Sequence, residues 1–404
     1  MTGPLAGMTI IEVSAFIAAP YAGLTLAQMG AEVIRIDPIG GGLDYNRWPV
    51  TEDGKSLYWA GLNKGKKSVT INVRDPKGRE LAHALMTRAG AGNGIVLTNL
   101  PARGWLDYEG LKAQREDLIM VNIVGRRDGS VALDYTVNAR AGFPLVTGPA
   151  GSEKPVNHVM PVWDVVTALA ASNAVMVADR HRRDTGAGQY VRIALADSAF
   201  AVLSHLGYVA EAQINGTDRP ATGNHVFGTF GCDFPTKDGR RVMITAFTPR
   251  HWSALLEASG TEARFAAIAA EHGVDLAKEE ERYALRETIE AELTPWFQAR
   301  TLAEIGTALD AVGACWGPYQ TFRQAVADDP DLSTENPMFE EIDQPGIGRY
   351  LAAGSFIDFG GIPRDPVVPA PLLGQDTESV LSEKLGIDGA GLASLRDSGI
   401  ISGS

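Results

Sequence analysis

Thr9-Ile-Ile-Glu-Val13 and Ala31-Glu-Val-Ile-Arg-Ile-Asp37 decide the fold. Both are short runs rich in β-branched residues, as strands are. Between them, Tyr21–Met29 has helical composition and stops at Gly30, a residue suited to the left-handed position after a helix. Strand, helix and strand in about thirty residues make a βαβ unit, whose two strands lie parallel. The alternation continues. Ser68–Val73 reads as a strand, and Asp75 caps a helix that starts at Pro76 and runs to about Ala89. Gly94–Asn99, Leu118–Val124 and Tyr190–Ala196 read as further strands, with a helix from Asp197 to about Gln213. The predicted class is α/β: an open, Rossmann-like, mainly parallel sheet with helices on its faces.

A chain of 404 residues is too long for one ordinary core. Composition shifts at 215–231, where glycine and threonine are frequent, and strand and helix patterns follow. The expected division is a large domain over 1–213, completed by 325–404, and a smaller α+β domain over 214–324. The end of the chain is rich in Pro and Gly but carries Phe356, Ile357 and Phe359 as anchors, so it reads as a strap across a surface. A net charge of -13 argues against nucleic-acid partners. Apolar stretches fall short of the roughly 20 residues of a membrane span, so no membrane association is expected. Two cysteines, Cys232 and Cys315, and the lack of a signal segment point to the cytoplasm.

Several cofactor readings fail. Asp37 ends a strand where an acid would hold a ribose, yet the turn Ser14-Ala-Phe-Ile-Ala-Ala-Pro20 has no glycine to admit a pyrophosphate. Asp53-Gly-Lys-Ser56 lacks the earlier glycine of a P-loop, because that position is Pro49. No clustered metal ligands occur, and no metal is expected.

One acid stands out. Asp164 is the only ionisable residue between Val159 and Ala178, and Val162, Trp163, Val165 and Val166 flank it. A poorly hydrated carboxylate is a candidate base or nucleophile. The alternative is a first-turn acid held by backbone donors, with Pro161 opening the helix. Both readings stay open on the residues alone. Three basic loops, Asn63-Lys-Gly-Lys-Lys-Ser68, Asn99-Leu-Pro-Ala-Arg-Gly104 and Gly125-Arg-Arg127, are read as converging on one sheet edge, which suits a polyphosphate such as coenzyme A. Thr222–Gly231, with Gly223, Gly228 and Gly231, reads either as a lid offering backbone donors or as an interdomain loop. His225 within it is more simply a satisfied histidine than a ligand.

Leu5-Ala-Gly-Met-Thr-Ile-Ile-Glu12, Leu26-Ala-Gln-Met-Gly-Ala-Glu-Val-Ile-Arg-Ile-Asp37, Asp75-Pro-Lys-Gly-Arg-Glu80, Arg182-Arg-Asp-Thr-Gly-Ala-Gly-Gln189 and Leu373-Gly-Gln-Asp-Thr377 together carry a family likeness. Over nearly its whole length the chain resembles the class III coenzyme A transferases. The resemblance implies an acyl-CoA substrate, no cofactor beyond the CoA carried as thioester, and an interlocked, ring-like homodimer. It places the nucleophile on Asp164, in a motif whose usual glycine is Ala168 here. With that chemistry, Lys66, Lys67 and Arg126 are the expected contacts of the CoA phosphates, Asn99, Gly228 and Gly231 are expected in substrate binding, and Arg47 and Arg103 are the candidate cations for a free carboxylate. The histidine of the racemase branch is missing at Ala132-Leu-Asp134. Further stretches, among them Asp37-Pro-Ile-Gly-Gly-Gly-Leu-Asp-Tyr45, Trp59-Ala-Gly-Leu-Asn-Lys-Gly-Lys66 and Asp134-Tyr-Thr-Val-Asn138, mark one branch. The resemblance to that branch implies transfer of CoA between the C1 and C4 carboxyls of a single mesaconyl unit. The rival expectations are an intermolecular CoA transferase and, further off, a non-catalytic acyl-CoA binding protein.

Overall fold

The computed structural model describes Gly3–Ser402. Six strands, β1 (Thr9–Val13), β2 (Glu32–Asp37), β3 (Lys67–Thr70), β4 (Ile95–Thr98), β5 (Ile119–Val124) and β6 (Gln189–Ala194), form one parallel sheet in the order β3-β2-β1-β4-β5-β6. This is the expected open α/β sheet. Its order reverses between β1 and β4, which places the natural ligand crevice beyond the carboxyl ends of those strands.

Strand parity builds the two cores. In β1, Ile11 and Val13 join the cluster covered by the helices Pro76–Met86 and Thr377–Leu385. Ile10 faces the opposite side, with Val33, Ile95, Ile119 and Val121, beneath the helices Ala18–Gln28 and Val162–Thr185. Those two helices meet through small residues, Ala18, Ala19 and Ala22 on one and Ala168, Ala171 and Val175 on the other. Ala168 is fully buried there, so the alanine in place of the family's glycine packs this seam. Val162–Thr185 is 24 residues long and apolar enough to cross a membrane, contrary to the expectation that no stretch reaches that length. Packing accounts for its composition, because Trp163, Ala168, Ala171, Val175 and Ala178 are buried on this face.

The chain separates into two compact units. One comprises the residues up to Ala141, Val159–Glu211 and those from Pro330 onward; the other comprises Gly142–His158 and Ala212–Asp329. Gly142–His158 thus joins the smaller unit, where the sequence division had kept it in the large domain. Its backbone bonds explain the placement: Gly151 N–H donates to the Ala221 carbonyl at 3.0 Å. The smaller unit carries an antiparallel sheet of β7 (Phe230–Pro235), β8 (Arg241–Ala246) and β9 (Cys315–Pro318). Phe230, Phe234, Ile244, Phe265, Leu293 and Phe297 fill its core.

Beyond Pro330 the chain holds more regular structure than its composition predicts. β10 (Phe339–Gln344) and β11 (Gly348–Ala353) form a hairpin, and two helices, Thr377–Leu385 and Gly389–Asp397, close the chain. The Leu373–Thr377 motif is a fastening. Asp376 accepts from the Ser68 N–H at 2.8 Å, Thr377 accepts from the Thr70 N–H at 3.0 Å, and Gly374 N–H donates to Ser68 Oγ at 2.9 Å.

Candidate active site

Asp164 occupies the first turn of the helix Val162–Thr185 and is partly buried. No side chain at the helix start caps it; the cap comes from thirty residues upstream. Asp134, itself buried, accepts from the Trp163 N–H at 2.6 Å and from the Asp164 N–H at 3.2 Å. Asn138, one turn further along the helix Asp134–Arg140, accepts from the Trp163 indole N–H at 3.2 Å. The first turn is therefore held from outside, and the Asp164 carboxylate forms no hydrogen bond with the described residues. Burial pushes its pKa up to about 7; the Asp134 charge reinforces this and Arg47 opposes it. A carboxylate with open lone pairs and little hydration can attack an electrophilic carbonyl.

Arg47 is the cation that acts on this carboxylate. It lies over the rings of Phe16 and Tyr58, 5.4 Å from each centroid. Burial raises the Tyr58 phenol well above its usual range, against the pull of Arg47 and with the push of Asp44 and Asp164. Phe16, Arg47, Tyr58 and Asp164 thus share one neighbourhood in the first unit. Sequence reading gives neither Tyr58 nor Asp134 a role in the site, although Asp134 opens one of the branch-marking stretches.

Next to this group lies a cleft of about 730 Å³ at the carboxyl edge of β1 to β4. Val13, Ser14 and Ala15 line it after β1, Asp37, Pro38 and Gly41 after β2, Asn72 and Arg74 after β3, and Leu100 and Trp105 after β4. The loop following β1 is shared: Ser14 and Ala15 face the cleft while Phe16 meets Arg47.

The predicted phosphate lysines are misplaced and need correction. Lys66 precedes β3 and Lys67 opens it, whereas Asn99–Gly104 and Gly125–Arg127 follow β4 and β5. In a parallel sheet, entry and exit loops lie on opposite edges, so the three basic loops do not converge. Lys66 is buried, with its ammonium on Glu12 at 2.9 Å, the Pro20 carbonyl at 2.8 Å and Asn63 at 3.0 Å; burial lowers its pKa to about 8. Lys67 pairs with Glu32 at 2.8 Å. Lys66 is not available to a phosphate, and neither lysine lines the cleft. Arg74, exposed on the cleft wall, is the basic residue that sequence reading passes over. Lys66→Ala is expected to destabilise the fold by about 3 kcal/mol, because Glu12 would stay buried with its 2.9 Å partner gone and only Arg35, 3.7 Å away, as a cation. Denaturant unfolding reads this out; unchanged stability would contradict the burial argument.

Asn99 is a clasp, accepting from the Ala15 N–H at 2.9 Å and donating to the Ala15 carbonyl at 2.6 Å. Arg103 is exposed and Arg126 partly buried. Gly228 occupies a turn in the smaller unit with φ of 84°, as expected of a loop glycine. Gly231 does not belong to a loop: it is a β7 residue paired with Thr245, so its assignment to a lid is corrected. His225 Nε2 donates to the Glu290 carboxylate, 3.0 Å away. With Cys232 these two bring one nitrogen, one sulfur and one oxygen within 4.8 Å, the single grouping among the described residues with metal-ligand chemistry.

Residues 5–377 match CoA-transferase family III, and the chain belongs to that family. It is an enzyme of the class that the parallel sheet, the cleft and the isolated aspartate define. Across 404 residues it is 52% identical to the 2-methylfumaryl-CoA isomerase of Chloroflexus aurantiacus, covering 100% of this chain and 99% of that one. It is 30% identical to the succinyl-CoA:mesaconate CoA-transferase of Haloarcula marismortui, covering 96% and 97% respectively. A solved CaiB/BaiF family protein from Brucella suis shares the fold, with a TM-score of 0.76 at 24% identity over 95% of this chain and 100% of that chain.

Proposed function

We propose that this protein moves CoA between the C1 and C4 carboxyls of one mesaconyl (2-methylfumaryl) unit, with Asp164 as nucleophile. The observation that carries the reading is the Asp164 carboxylate, without a hydrogen bond among the described residues, weakly hydrated and accompanied by the cation Arg47. Full-length similarity to the Chloroflexus isomerase supports the choice of substrate.

The reaction balances without a cofactor. An Asp164 oxygen attacks the C1 thioester carbonyl; the C–S bond breaks, giving a mixed anhydride and CoA thiolate. The thiolate attacks the aspartyl carbonyl, releasing free mesaconate and leaving an aspartyl-CoA thioester. The C4 carboxylate then attacks this thioester, and the same two steps run in reverse to give the C4 thioester and free Asp164. Arg47 holds whichever carboxylate is not reacting. The coenzyme lies in the carboxyl-edge cleft with Arg74 on a phosphate. Arg74→Ala is therefore expected to raise the KM for CoA thioesters about tenfold or more, the worth of one charge-assisted hydrogen bond, with kcat little changed. Lys67→Ala is expected to leave KM unaltered; equal effects from the two would contradict this placement.

A homodimer belongs to the same reading, supported by Leu169 and Val177, apolar and exposed on the outer face of the Asp164 helix. The Haloarcula relative keeps an intermolecular transferase as the second reading. Mesaconyl-C1-CoA supplied as sole substrate separates the two. Accumulation of the C4 thioester supports isomerisation, and dependence on an added acid contradicts it.

A further inference from the structure

Glu12 and Arg35 are register partners on β1 and β2, and both point to the sheet face covered by the helix Ala18–Gln28. Burial there demands compensation. Arg35 meets Asp37 through two hydrogen bonds of 2.8 and 3.0 Å, Asp44 at 2.9 Å, Asn63 at 3.3 Å and the Ser14 carbonyl at 3.4 Å. Lys66 closes the cluster onto Glu12. Backbone space is made for it: a Cβ on Gly23 would fall 1.8 Å from a Glu12 oxygen, and one on Gly42 2.9 Å from an Asp37 oxygen. Asp37, Gly42 and Asp44 lie in one branch-marking stretch, Asn63 and Lys66 in another, and no step of the reaction above uses any of them.

Asp44 has two outlets from this cluster. Its second carboxylate oxygen accepts from the Phe16 N–H at 3.0 Å, and Phe16 holds a φ of 65°, a conformation uncommon for a residue with a side chain. Its backbone carbonyl accepts from the Arg47 N–H at 3.1 Å and so closes the turn that presents Arg47. Phe16 and Tyr58 are the two rings that the Arg47 guanidinium lies over.

We propose that the buried Arg35–Asp44 cluster positions the carboxylate-binding end of the site, with Asp44 holding Phe16 and Arg47 in register so that a substrate's free carboxylate is recognised. This rests on the reading of Arg47 given above. Asp44 and Arg35 are positioning residues; neither touches substrate.

The test uses the full-length enzyme and two thioesters, mesaconyl-C1-CoA and tigloyl-CoA, which has methyl in place of the free carboxylate. Both are assayed by CoA release with hydroxylamine present. Hydroxylamine nitrogen attacks the acyl carbon of the mixed anhydride, the C–O bond breaks, and a hydroxamate and free Asp164 result. Asp44→Ala is expected to lower the mesaconyl-to-tigloyl ratio of kcat/KM at least about tenfold, mainly through KM. Arg47→Ala should do the same, and the double variant should add little to it. Asp44→Asn, which keeps an acceptor for Phe16, should recover part of the ratio. Gly42→Ala should reproduce the defect without removing a charge, and it carries the test with Asp44→Asn where Asp44→Ala does not fold. If Arg47→Ala collapses the ratio while the Asp44 and Gly42 variants leave it intact, the positioning role is wrong and the substrate reading stands. If Arg47→Ala leaves the ratio unchanged, the carboxylate reading fails and the positioning role fails with it.

Discussion

An Asp164→Asn protein is expected to bind CoA thioesters while turnover falls by at least about 10⁴-fold, the scale seen when a nucleophile is removed from an otherwise intact site. The same change is expected to stabilise the fold at neutral pH. In the folded chain the carboxyl titrates near 7, against an ordinary value of 3.8, because burial penalises its charge. Below about pH 4 the group is protonated in both folded and unfolded chains and contributes nothing. As pH rises from 4 towards 7 the unfolded chain ionises first, so stability is progressively lost, and above 7 the loss is complete. Asparagine removes that loss. A gain of about 1–3 kcal/mol is expected at pH 8, discounted for partial exposure, and none at pH 4. Urea unfolding at the two pH values measures it. An equal gain at both would mean that packing, not charge, is responsible.

Asp134 is expected to give the second largest effect, through position and charge separately. Asp134→Ala removes the acceptor for two N–H groups at the start of the Asp164 helix and lets that turn shift. A cap of this kind contributes about 1–2 kcal/mol to stability. A nucleophile displaced by about 1 Å costs roughly 10²-fold in kcat. Asp134→Asn keeps an acceptor but removes the charge that reinforces the raised Asp164 pKa. The reactive form is the carboxylate, so kcat/KM rises with pH to a plateau above about 7 in the native enzyme. In Asp134→Asn that acid limb should move to lower pH. A limb that stays in place, or moves upward, would show that Asp134 has no electrostatic part in the site.

The parallel sheet was legible because each strand is a short β-branched run bounded by turn residues, and Asp164 because nothing ionisable surrounds it in sequence. Other features resist a linear reading for physical reasons. Asp134 reaches the Asp164 helix across thirty residues, and spacing does not reveal such a contact. Tyr58 sits in an ordinary helix start, Ser56-Leu-Tyr-Trp59, and becomes notable only through Arg47 and the Asp164 field. The lysines at the start of β3 resemble phosphate ligands by composition, yet strand direction alone removes them from the binding edge. Glu12 and Arg35 were readable in principle: parity puts both on a covered face, where opposite charges must pair. The helices after Thr377 escaped notice because proline and glycine dominate the segment leading to them.

Intramolecular transfer is tested most directly by incubating the enzyme with mesaconyl-C1-CoA and a large excess of isotopically labelled free mesaconate, then weighing the thioester products. The expected product is the C4 thioester without label, because the free acid formed on Asp164 is recaptured before it exchanges. Label entering the C4 thioester in proportion to the free pool would contradict this account and make the protein an intermolecular CoA transferase.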